Sequence, residues 1–86
     1  MKYLLIVEDD NDLREGLAAA LSDTSLTAYT AADIASARRM LDVTAFDLVL
    51  LDCNLPDGSG IDFCRELSSA RDIAVVFLTI RDSELD

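Results

Sequence analysis

Hydrophobic positions along this chain follow two rhythms that take turns. Residues 3–7 (YLLIV), 46–51 (FDLVLL) and 73–78 (IAVVFL) are short apolar runs between polar flanks. Runs of that length read as strands buried on both faces, as in a parallel sheet. A weaker run, residues 26–30 (LTAYT), alternates roughly and carries β-formers, which suits a sheet edge. Between the runs the period lengthens. Leu13, Leu17, Ala20 and Leu21 form one helical stripe, and Ile34, Ala37, Met40 and Leu41 a second, with Arg38 and Arg39 outward. Ile61, Cys64 and Leu67 face inward on a third helix, capped by Ser59 with Asp62 in its first turn. Asp10 or Asn11 caps the first helix. Thr30 and Asp33 read as a capping box for the second, with aspartate in place of glutamate. Gly16 costs its helix up to about 1 kcal/mol relative to alanine, which close packing there would account for. The order is βαβαβαβ, and it predicts a parallel sheet with right-handed crossovers and helices on both faces. Residues 81–86 (RDSELD) read as the start of another helix.

Length and charge narrow the function. Eighty-six residues, 51% hydrophobic, make one small domain. Seventeen acids against seven bases give a net charge of −10, a surface that repels nucleic acid and anionic membrane. No apolar run approaches the roughly 20 residues that span a bilayer, and MKYLLIVEDD is no signal peptide. The chain has no histidine, and Cys53 and Cys64 lack metal-ligand spacing, so a structural zinc site is out. Reduced thiols in a cytoplasmic protein are the expectation.

Polar residues gather where the apolar runs stop. The first run ends on Glu8 and Asp9, the third on Asp52 and the fourth on Thr79. Taken singly, Glu8 and Asp9 read as a solvated helix cap, and Asp52 and Thr79 as ordinary strand ends. If the first, third and fourth strands are neighbours, all four residues converge on one crevice at the carboxyl edge of the sheet. Clustered carboxylates raise one another's pKa unless a cation sits among them, and an all-oxygen set suits Mg²⁺. A carboxylate beside bound Mg²⁺ is a nucleophile toward phosphorus, with the Thr79 hydroxyl placed to donate to a phosphoryl oxygen.

The succession YLLIVEDD, LVLLDCNLPDGSG and VVFLT resembles the receiver domain of two-component response regulators, in order through the whole chain. The resemblance implies a flavodoxin-like, doubly wound α/β sheet of strand order 2-1-3-4. It implies that Asp52 accepts a phosphoryl group from a sensor histidine kinase and that Thr79 is the switch hydroxyl. Asp9 corresponds to a direct Mg²⁺ ligand, Glu8 to a support acting through water, and Asn54 to the position whose backbone carbonyl binds the metal. The Asn54 side chain stands near enough to influence hydrolysis, and Pro56 and Gly60 fit the family's loop. Catalysis in such a domain amounts at most to self-phosphorylation from phosphodonors and slow autodephosphorylation. The Glu-Asp-Asp cluster is reminiscent of regulators with a winged-helix DNA-binding output domain.

The sequence departs from the family at two points. Residue 80 is isoleucine where the family has a small residue. The family also continues with a fourth helix, a fifth strand and a fifth helix, which carry a lysine that neutralises the phosphoryl group and an aromatic switch residue. Lys2 is the only lysine here. Residues 1–86 are therefore expected to be a receiver domain truncated after its fourth strand. That strand contains no proline or charge to protect an edge, so self-association through it is expected. Two rival readings are a non-catalytic interaction fragment and a phosphohydrolase of the haloacid dehalogenase type. The second needs another aspartate where Asn54 stands.

Overall fold

Each apolar run becomes a strand, and each stripe a helix. The computed structural model describes residues 2–78. They run β1 (Lys2–Val7), α1 (Asn11–Leu21), β2 (Leu26–Ala31), α2 (Ile34–Val43), β3 (Leu48–Asp52), β4 (Asn54–Leu55), β5 (Gly58–Ser59), α3 (Gly60–Ala70) and β6 (Ala74–Leu78). The main sheet is parallel with order β2-β1-β3-β6, which is the expected 2-1-3-4 with β6 as the fourth strand. The loop after β3 forms an antiparallel hairpin of its own, β4-β5.

Side-chain alternation divides the sheet into two unequal faces. Leu5, Val7, Val49 and Leu51 are buried in one core with Ile34, Ala37 and Leu41 of α2 and with Phe63 and Leu67 of α3; Val75 and Phe77 pack against it. On the other face Leu4 and Ile6 are buried, Leu48 and Leu50 are half-buried, and Val76 of β6 is 50% exposed. The expectation that residues 73–78 are buried on both faces therefore fails on the second face. The stripe of α1 is shallow as well: Leu13 and Leu17 are half-buried, whereas Ala20 and Leu21 are exposed.

Three local expectations need correction. Thr30 does not open a capping box, because β2 runs on to Ala31, and Asp33 is itself the cap, accepting from the Ser36 amide at 2.8 Å. Ile61 is 48% exposed, and Phe63 takes the inward place, since Gly60, Phe63 and Leu67 form the buried stripe with Cys64 at its margin. Gly16 has open space where a Cβ would stand, so close packing does not account for it. The caps at Asp10 and Ser59 are as expected. At the start of β3, Asp47 is tied to Tyr3: its carboxylate accepts from the Tyr3 amide at 2.8 Å and its own amide donates to the Tyr3 carbonyl.

Acid should weaken three carboxylate bonds of the fold. Hydrogen bonds from Ser36 hold the Asp33 carboxyl below the usual range, bonds from Ser25 do so for Asp23, and Arg38 does so for Glu66. Folded pKa values below the unfolded ones add stability that is complete above the unfolded range and is lost as pH falls through the folded values. The stability these three bonds add is therefore expected to be lost below about pH 4, and circular dichroism melts of wild type and Asp33→Asn across that range check it for the Asp33 cap. An Asp33→Asn difference that does not shrink toward low pH would contradict the assignment.

Candidate functional site

The first strand does not stop its ladder at Val7. The Glu8 amide donates to the Ala31 carbonyl at 3.0 Å, which keeps the residue in line with the sheet and only 4% exposed. The chain then turns sharply. The Asp10 amide donates to Glu8 Oε2 at 3.0 Å, and Asp10 caps α1 by accepting from the Leu13 amide. Arg14 secures the turn, donating to the Glu8 backbone carbonyl at 2.9 Å and to the Asn11 side chain. Asp9 is left exposed at the carboxyl edge of the sheet.

Asp52 closes β3, next to β1, and is 6% exposed. One carboxylate oxygen from each of Glu8, Asp9 and Asp52 lies within 4.8 Å of the others. Burial pushes the Glu8 carboxyl up; the bond from the Asp10 amide opposes this, and the charges of Asp52 and Asp9 add to it. Two buried acids and one exposed acid sharing so small a space suit a hard, oxygen-seeking cation. The donor set fits Mg²⁺: it is all carboxylate oxygen and is open on the Asp9 side.

The segment after Asp52 is built to a tight tolerance. Gly60 donates its amide to the Cys53 carbonyl at 2.9 Å, and a Cβ on Gly60 would stand 2.0 Å from the Asp52 carbonyl oxygen. Only glycine lets the start of α3 pass so close to the end of β3. Asn54 opens β4 opposite Ser59, exposed, two residues beyond Asp52. Thr79 lies outside the described residues. Sequence reasoning placed the three acids together but missed the parts played by Arg14, Asp57 and the steric need at Gly60. Asp57 reaches α2: its carboxylate accepts from the Ile34 amide at 2.9 Å and the Ala35 amide at 3.0 Å. In sequence it reads only as a turn residue. The one available hint was that α2 has no acid in its first turn. Among the described residues, no helix is long and apolar enough to cross a membrane.

Over residues 4–86 the chain matches the family described as the response regulator receiver domain. It is 42% identical over 88 residues to the phosphate regulon transcriptional regulatory protein PhoB of Escherichia coli, covering 99% of this chain and 38% of the relative. Identity to the sensory transduction protein RegX3 of Mycobacterium tuberculosis is 38% over 86 residues, all of this chain and 38% of the relative. The chain thus spans well under half the length of these curated relatives. Among solved structures, the histidine kinase ThkA in complex with the response regulator TrrA matches with a TM-score of 0.85 at 28% identity, covering 100% of this chain and 75% of the matched one. TrrA from Thermotoga maritima, in complex with Mg²⁺ and BeF, matches with a TM-score of 0.74 at 25% identity, covering 99% and 93%.

Proposed function

Because this chain belongs to the response regulator receiver family, we propose that it accepts a phosphoryl group on Asp52 from a histidine kinase, with Mg²⁺ held by Glu8, Asp9 and Asp52. One observation carries the proposal: the buried carboxylate at the end of β3 lies within 4.8 Å of the paired acids after β1. Asn54 would add its backbone carbonyl to the metal, and Thr79 would donate its hydroxyl to the phosphoryl group. Bound Mg²⁺ supplies positive charge that offsets the carboxylates and the incoming phosphoryl oxygens. The rest falls to the chain. An Asp52 Oδ attacks phosphorus and forms an acyl phosphate, while the phosphorus–nitrogen bond of the phosphohistidine breaks and its electron pair returns to the imidazole. Glu8 and the Asp10 amide keep the β1–α1 turn closed behind the nucleophile.

The kinase assignment draws support from the solved ThkA–TrrA complex, and a transcriptional role from the name of PhoB. With a net charge of −10, this segment would act on an output domain rather than on DNA itself. Family membership removes the ground for the phosphohydrolase reading. The test is mass spectrometry after incubation with acetyl phosphate and Mg²⁺. One phosphoryl group is expected on the chain, absent in Asp52→Asn and retained in Asp47→Asn, whose carboxylate serves β1 at the far end of the sheet. Label persisting in Asp52→Asn would move the chemistry to another residue.

A further inference from the structure

The hairpin that follows the acceptor touches α2 in two ways. The Asp57 carboxylate takes both free amides at the helix start, Ile34 and Ala35, from 23 and 22 residues away. Gly58, at φ +157°, lays its backbone against the same turn: a Cβ there would meet Ile34 Cδ1 at 3.0 Å. The helix needs this help. Its first turn holds no acid of its own, and the carboxylate of its cap, Asp33, takes the Ser36 amide and leaves those of Ile34 and Ala35 to Asp57. A helix N-terminus presents unpaired amides and a positive dipole end, and a carboxylate held there is fixed by both. At its other end, the hairpin starts with Asn54, which is paired with Ser59, the cap of α3.

We infer that Asp57 is a positioning residue: by docking on α2 it holds the β4-β5 hairpin, and with it Asn54, at the height the acceptor site requires. This rests on the proposed Mg²⁺ and phosphoacceptor role of the site. Once Asp57 is removed, the hairpin loses its hydrogen bonds to α2 and keeps its short ladder, the Gly58 contact with Ile34, the buried Leu55 and the Gly60 contact, and Asn54 gains freedom beside Asp52.

The experiment compares Asp57→Ala, Asp57→Asn and Asp33→Ala in the whole chain. Asp33→Ala removes a cap bond from the same helix without releasing the hairpin, so it separates loss of helix stability from loss of hairpin position. Mg²⁺ affinity is read by titration, phosphorylation by mass after acetyl phosphate, and hairpin mobility by amide hydrogen exchange of residues 54–59. Asp57→Ala is expected to weaken Mg²⁺ binding about tenfold, as loss of outer support commonly does, to slow phosphorylation and to speed exchange in the hairpin. Asp57→Asn, which keeps one acceptor oxygen, should fall between, and serves alone if the alanine variant does not fold. Asp33→Ala should leave affinity and hairpin exchange near wild type. Equal effects of Asp33→Ala and Asp57→Ala, or wild-type affinity and exchange in the Asp57 variants, would overturn the inference. Wild type that binds Mg²⁺ but takes no phosphoryl group would sink the proposed function. The affinity and exchange comparison would still judge Asp57.

Discussion

Replacing Gly60 with alanine is expected to lower the melting midpoint by more than about 12 °C, taking a cost of at least about 3 kcal/mol at roughly 4 °C or more per kcal/mol for a domain this small. The added carbon would lie 2.0 Å from the Asp52 carbonyl oxygen and 3.0 Å from both the Asp52 carbonyl carbon and Cys53 Cα. All three are backbone atoms of the last residue of β3 and the residue after it, so no side chain can swing aside to make room. Either α3 backs away and leaves Phe63 and Leu67 poorly packed, or the end of β3 shifts. The second response also damages chemistry, since a misplacement of about 1 Å commonly costs on the order of a hundredfold in rate. Thermal unfolding and the rate of phosphorylation from acetyl phosphate measure the two effects. Gly16→Ala is the control, because open space awaits its Cβ. It should gain up to about 1 kcal/mol from helix propensity alone. If Gly60→Ala melts with wild type, α3 does not approach β3 as closely as described.

The contrast between these glycines shows which parts of the fold a sequence exposes. Gly16 and Gly60 look alike as letters, and what separates them is the partner each meets across space. The strands were legible because burial on one face or two writes a period into the chain. The three acids were legible because each ends an apolar run, so the topology alone brings them to one edge. Contacts across long separations left no such mark. Asp57 sits in a Pro-Asp-Gly turn, where aspartate is unremarkable, and its two amide partners lie on a helix that starts 23 residues earlier. Ile61 and Phe63 were exchanged because three apolar residues in the first turns of α3 permit more than one stripe. Docking against the sheet and α2, with Phe63 in the core beside Val49 and Leu51 and Arg38 standing 5.5 Å from its ring centroid, selects between them. That β6 would be an unprotected edge was legible, since AVVFL carries no proline or charge, but which of its faces stays wet was not.

Asp52→Asn is expected to make the Mg²⁺-free protein more stable while removing most of its response to Mg²⁺. In the wild-type chain Glu8 and Asp52 are both almost fully buried, and their carboxylate oxygens lie within 4.8 Å of each other and of Asp9. Two like charges about 5 Å apart repel by roughly 3 kcal/mol at an effective dielectric of about 20. Solvent reaching the cluster from the exposed Asp9 side screens part of this. A net gain of about 1–2 kcal/mol remains for the asparagine variant, or roughly 5–10 °C in melting midpoint. With Mg²⁺ at a hundred times its dissociation constant, the wild type gains about 2.7 kcal/mol by mass action. The variant offers two carboxylates instead of three and a neutral amide, so it should gain far less at the same concentration. The two melting curves are thus expected to change order: the variant melts higher in a chelator, and the wild type catches or passes it in millimolar Mg²⁺. The phosphoryl label should vanish in the variant under both conditions, which ties the stored repulsion to the reacting group. A variant that melts below wild type in chelator would mean that Asp52 is held by favourable contacts. The crowding of acids would then not be what the site keeps in reserve for its cation.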